Sequence, residues 1–297
     1  MRLLHGALFL FLLAPPAHER TCHYSSWSDN PAPYLQAIQK AGMDAHPDLP
    51  PGQSVRAGIL THHFLASGLM VRFFDALRAH SSPRTIVLIG PNHFHHGLAN
   101  VSVSSLPWKT PFGLLETDGR MVRQIESAIN LPEDPEAFTG EHSVGVLAPF
   151  LKYYFPNARV VPILVDINAQ SLRLKELRLA MTRILRDPGV LVLLSMDFSH
   201  DSVMQIADSR DEQAQQVIST MDLGKVEGLQ VDCRRGLWVL LAAMRDLGDV
   251  RVQIREHSNS ARITGNLTQP DVTSYFTMFL ISPAHREKRL RAAGPPD

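Results

Sequence analysis

From about residue 55 onward, short runs of consecutive apolar residues alternate with longer stretches in which apolar residues return every three or four positions. The short runs read as strands: Ala57–Leu60, Thr85–Ile89, Val160–Val165 and Val190–Ser195. The longer stretches read as helices. Ser67–Ala79 is the clearest, with Leu69, Met70, Phe73, Phe74 and Leu77 on one stripe. Asp118–Ile129, Val144–Tyr154, Ser171–Leu185, Ser202–Met221 and Arg235–Leu247 follow the same pattern. Two further strands, Val250–Arg255 and Val272–Leu280, close the series. A strand that is apolar throughout must be covered on both faces. The pattern therefore predicts one α/β domain, with a mostly parallel central sheet flanked by helices on both faces. No repeat or long linker divides it.

Composition fits that reading. Of 297 residues, 44% are hydrophobic and 20% charged, the balance of a folded globular chain. Lys plus Arg equals Asp plus Glu at 29 each. Without a basic excess or stripe in its body, the chain is not expected to bind nucleic acid. Residues 284–297 carry Arg286, Lys288, Arg289 and Arg291 before Gly294-Pro295-Pro296, and read as a polar basic tail in solvent. At the other end, Arg2 precedes the apolar run Leu3–Ala14 and then Pro15-Pro16-Ala17. Residues 1–20 thus have the outline of a signal segment, or of a non-native leader. The run is short of the roughly 20 apolar residues of a comfortable membrane span. The α/β domain is placed at 21–283. Two cysteines, Cys22 and Cys233, do not make a disulfide framework for a chain of this size.

In parallel sheets the ligand crevice lies beyond the carboxyl ends of the strands. Metal-ligand residue types gather there. Thr61-His62-His63 follows the first strand, and Gly90-Pro91-Asn92-His93-Phe94-His95-His96 follows the second. Ser195-Met196-Asp197-Phe198-Ser199-His200 leaves the Val190 strand, and Glu141-His142-Ser143 opens a helix. One loop histidine means little, but a set at successive strand ends is delivered to one place by the fold. Imidazole suits iron, copper, zinc and nickel, and a thiolate shifts preference to softer ions. Gly90 would permit an unusual backbone shape and Pro91 would stiffen the exit. Asp197 either caps a strand end or acts in the pocket as a proton acceptor or an orienting group. Glu141 either complements a helix dipole or serves the site. Cys233 opens a helix, which would favour its thiolate; the alternative is a small buried apolar residue.

Taken in order, these pieces resemble the Memo-like family, known in bacteria as AmmeMemoRadiSam system protein B. The resemblance runs from Ser25-Ser26-Trp27 through Trp108-Lys109-Thr110-Pro111-Phe112-Gly113 and Asp232-Cys233 to Thr273-Ser274-Tyr275. It implies a fold and pocket similar to class III extradiol dioxygenases, with iron or copper held by His62, His93 and Cys233. Asp197, Glu141, His142 and His200 then match pocket residues. Thr-His-His-Phe replaces the family's Pro-His-Ala-Gly-Tyr, leaving His62 or His63 as the ligand, and Cys233-Arg234-Arg235 replaces its Cys-Gly-Arg. Three functions follow from the resemblance. One is a redox metalloenzyme acting on a small molecule, and another a copper- or iron-holding protein without turnover. The third is a scaffold using the same cleft, with pathway partners of the AmmeMemoRadiSam type. The family implies a cytoplasmic protein, whereas a genuine leader implies export or anchoring. The Ser258-Asn259-Ser260 run lacks the strand-turn-helix elbow of a serine hydrolase. Substrate and oligomeric state are not written in the chain.

Overall fold

Successive side chains of a strand point to opposite faces of its sheet, and in this protein both faces are buried. A computed structural model describes residues 23–42 and 49–283. The leader-like residues 1–20, Cys22 and the tail 284–297 lie outside the described residues. In chain order the elements are β1 (Tyr24–Ser25), α1 (Ala32–Lys40), β2 (Gln53–Leu60), α2 (Ser67–His80), β3 (Thr85–Pro91), β4 (Val101–Val103), β5 (Trp108–Thr110) and β6 (Gly113–Leu115). There follow α3 (Gly119–Ile129), α4 (His142–Gly145), α5 (Leu147–Tyr154), β7 (Arg159–Val165), α6 (Ser171–Ile184) and β8 (Val190–Ser195). The last are α7 (Met204–Thr220), α8 (Arg234–Leu247), β9 (Arg251–Asn259), α9 (Ser260–Thr264) and β10 (Ser274–Pro283).

The main sheet runs β4-β7-β3-β8-β2-β10-β9. Its strands sort their side chains by parity. Ile86 and Leu88 of β3 join Leu191 and Leu193 of β8 in one core, with α1, α2 and α5. Val87 and Ile89 join Val190, Val192 and Leu194 in the other, with α3, α6, α7 and α8. Helices on both faces are the consequence of that two-sided apolar surface. A small separate sheet, β1-β5-β6, packs Tyr24 and Trp108 into the first core. No helix among the described residues is long and apolar enough to cross a membrane.

The parallel arrangement holds for the four central strands β7, β3, β8 and β2. Both margins are antiparallel: β4 against β7, and β10 against β2 and β9. The β9–β10 link needs no crossover, because only α9 and a short loop separate the two strands. The strands β4, β5 and β6, at 3 residues each, are too short to display a period in the sequence.

Register decides where the pocket lies. Leu60 pairs with Ser195, and Ile89 with Leu194, so β2, β8 and β3 end side by side. His62, His93 and Asp197 each stand two residues beyond the end of their strand.

Gly58, in the middle of β2, shows how tightly the sheet and α2 are packed. A Cβ there would fall 2.6 Å from Phe73 Cζ and 3.1 Å from Leu193 Cδ2, both fully buried. Gly58→Ala is expected to cost about 1–3 kcal/mol by overpacking. Urea unfolding checks this: the midpoint falls with little change in slope.

Candidate metal centre

His62 leaves β2 into a buried position, 2% exposed. Its Nδ1 lies 2.8 Å from Ser195 Oγ. The Ser195 hydroxyl donates its only proton to the Ser143 carbonyl at 2.7 Å, so it can only accept from the ring. Nδ1 therefore carries a hydrogen, and Nε2 is the nitrogen turned into the pocket.

His93 is set the same way by a different partner. Its Nδ1 lies 2.8 Å from Glu141 Oε1, and its backbone N–H donates to Glu141 Oε2 at 2.9 Å. Glu141 is 1% exposed and also caps α4, accepting from the Ser143 N–H at 2.8 Å. Burial acts to raise the Glu141 pKa, but the hydrogen bond and charge of His93 and the Ser143 N–H prevail and hold it at about 2. The acid is thus a carboxylate, Nδ1 of His93 donates to it, and Nε2 faces inward. Burial disfavours charge on His93, yet Asp232 and Glu141 outweigh it and lift the ring to about 9. A cation at this ring nitrogen is favoured by the same two carboxylates. His142 stacks on His93 with centroids 4.1 Å apart and meets His62 edge-on at 5.3 Å. Burial and then the charges of His93 and His62 depress its pKa to about 4.

Asp232 is the residue toward which these groups converge. Its Oδ2 lies 3.3 Å from His62 Nε2, 3.6 Å from His93 Nε2 and 4.0 Å from His200 Nε2. Donors bonded at ~2.1 Å in a tetrahedron stand about 3.4 Å apart, so these spacings suit a shared transition-metal ion. Asp232 is held by Asp197, whose N–H lies 3.1 and 3.2 Å from the two Asp232 oxygens and whose carbonyl accepts from the Asp232 N–H. The Asp197 carboxylate accepts from the Thr61 hydroxyl and from the His62 N–H, and its Oδ2 lies 3.7 Å from His62 Nε2. His200 Nε2 is buried without a hydrogen-bond partner. Two sets could hold a metal ion here, His62 with His93 and His142, and His62 with Asp197 and Asp232, each with donor atoms within 4.8 Å of one another.

Of the sequence-derived residues, the fold gathers His62, His93, Glu141, His142, Asp197 and His200 around one point. The Cys233 sulfur is in neither of those two sets. Cys233 is 1% exposed and belongs to the apolar core. A Cβ on Gly236 would fall 2.6 Å from its Sγ, and 3.1 Å from atoms of Ile89 and Leu194, which places the thiol against the first turn of α8 among core side chains. Burial, reinforced by the Asp232 charge, raises its pKa well above the usual thiol range. The lowering expected at a helix N-terminus is overruled by that desolvation. Between His62 and His63, the geometry selects His62: His63 Nδ1 lies 2.6 Å from the Tyr275 hydroxyl. His95 pairs with Asp166 at 2.5 Å and His96 stacks on Phe94, so His93 alone of its loop enters the pocket. Gly90 serves by size rather than conformation. A Cβ there would fall 2.6 Å from Ser143 Oγ, so glycine lets α4 lie against β3.

The family described as Memo-like protein matches residues 25–279. A MEMO1 family protein of Pyrobaculum aerophilum is 31% identical over 225 residues, covering 72% of this chain and 80% of its own. One of Pyrobaculum arsenaticum is likewise 31% identical over 225 residues, with the same coverage. Among solved structures, an uncharacterized protein from Escherichia coli K12 is similar with a TM-score of 0.48 and 14% identity, over 73% of this chain and 98% of that one.

Two outcomes are expected from this geometry. In metal analysis of purified protein, His62→Ala and Asp232→Asn fall to background while Cys233→Ala keeps the wild-type content. Ser195→Ala, which frees the His62 ring to adopt the other tautomer, weakens metal affinity by about 10–100-fold in chelator competition.

Proposed function

This chain belongs to the Memo-like protein family, and from that premise we propose that its pocket holds one redox-active transition metal, iron foremost, and couples O2 to the oxidation of a small organic molecule. One observation carries the reading: a carboxylate oxygen, Asp232 Oδ2, stands 3.3 and 3.6 Å from two imidazole nitrogens whose rings are each oriented by a hydrogen bond at the far nitrogen. Two histidines and one carboxylate are the donor set of non-haem iron oxygenases. A buried thiol whose pKa is raised gives little reason to favour a soft ion, and a carboxylate donor suits iron.

His62, His93 and Asp232 would be the holding residues. When bound, the metal would supply electron transfer between an electron-rich substrate and O2. The other side chains prepare the site around it. Ser195 and Glu141 orient the two rings, and Asp197 fixes Asp232 through its backbone amide. His142 is partly exposed and stacked on His93, where it meets an entering molecule and can accept a proton from a substrate hydroxyl. His200 approaches from the β8 exit with Nε2 free to hydrogen-bond substrate. The groove beyond His142 and Glu141, walled by Tyr24, Trp27 and Phe138, offers an aromatic approach.

The test is anaerobic purification followed by metal analysis and O2 uptake with catechol-like compounds. Bound iron and substrate-dependent O2 uptake are expected, both lost in His93→Ala. His142→Ala should retain metal and lose about 10²–10⁴-fold in turnover. Metal without O2 uptake for any such compound would overturn the oxidative reading and leave a metal-holding protein.

A further inference from the structure

A cavity of about 840 Å³ lies at the opposite pole of the sheet, where β3 and β7 begin. That volume is within the range of small-molecule sites. With β3 spanning 7 residues at about 3.3 Å each, it stands roughly 20 Å from the metal centre. Four arginines line it, Arg78, Arg84, Arg120 and Arg159, against one acid, Asp118.

The arginines are placed by the fold. Arg84 immediately precedes β3 and Arg159 opens the neighbouring β7, the Arg159 N–H donating to the Arg84 carbonyl at 2.9 Å. Arg120 comes from the first turn of α3, whose position is fixed because the Thr85 hydroxyl donates to Asp118 Oδ2 at 2.8 Å. The other Asp118 oxygen caps the helix, accepting from Met121 N–H at 3.1 Å. Both Asp118 oxygens are thus hydrogen-bonded, and Asp118 forms no ion pair with a guanidinium among the described residues. Arg84 is bonded to both oxygens of Asp187 at 2.9 and 3.0 Å. Arg78 lies 3.7 Å from Asp75 and over the Tyr154 ring. The guanidinium groups of Arg120 and Arg159 have no ion-pair or hydrogen-bond partner among the described residues. Two uncommitted guanidinium groups match a doubly charged oxyanion, and their fork geometry matches phosphate oxygens. Pro83, Phe155 and Pro156 add an apolar wall for the body of the ligand. The chain carries as many acids as bases, so a local basic cavity in a neutral protein fits a small anion better than a polymer.

We propose that this cavity is a second binding site, for a small phosphate monoester carried on an apolar or aromatic body. Phenyl phosphate is the probe, titrated calorimetrically into the full chain at low and at physiological salt, beside inorganic phosphate and phenol. Saturable binding of phenyl phosphate is expected, tighter than either component and weakened by salt. The double substitution Arg120→Ala with Arg159→Ala should weaken it at least tenfold, about 1.4 kcal/mol, and the corresponding double lysine variant should restore part of it. Should the double alanine variant melt early, each single alanine variant is expected to weaken binding severalfold. His62→Ala with His93→Ala, which removes the metal donors, should leave binding unchanged. The proposal falls if wild type shows no saturable binding, if the arginine variants bind equally well, or if binding disappears with the two histidines.

Discussion

A serine hydroxyl has one proton, and the pocket depends on where Ser195 spends it. Directed at the Ser143 carbonyl, it leaves the oxygen able only to accept, and the neighbouring imidazole must keep a hydrogen on Nδ1 and present Nε2 to the pocket. Ser143 is itself seated by Gly90, whose missing side chain admits α4 against β3, and the Ser143 amide steadies Glu141, which sets the second ring. Both histidines are thus prepared by one short helix. A larger residue at position 90 would push α4 away and release both rings together, although neither histidine touches that glycine's absent side chain.

The two rings alone would make a weak site. Asp232 supplies the charge, and Asp197 supplies the restraint by offering its amide to that carboxylate. The like-charged Asp197 and Asp232 carboxylates share a half-buried space, and a bound cation would offset their repulsion. The shifted pKa values of Glu141, His93 and His142 all express one crowded electrostatic field. The arginine cavity has the opposite sign and lies at the other end of the same strands, so the sheet separates two charged surfaces with a dry apolar slab.

Much of this was legible in the chain. Uninterrupted apolar runs marked β3, β7 and β8, and the rule that ligands gather past strand ends pointed to His62, His93 and Asp197. Register, which no single segment contains, was needed to show that their strands end level. The antiparallel margins escaped because β4 is too short to show a pattern and because strand direction is decided by the connection. Asp232 and Cys233 stood together in the sequence, and the thiol drew attention as the rarer chemistry. Which of two adjacent side chains enters a pocket depends on the turn that starts α8, a feature that residue types do not encode. Ser195 and Ser143 were invisible as functional residues, since their part is to fix a proton on someone else's ring.

That turn also joins a hard donor to a soft one across a single peptide bond. The carboxylate faces the crevice and the sulfur lies among core side chains, and a one-residue shift in where α8 begins would bring the sulfur toward the carboxylate's place. Preference between oxygen-loving and sulfur-loving ions would then change without replacement of any ligand-type residue, making the backbone rather than the side-chain inventory the selector of the element.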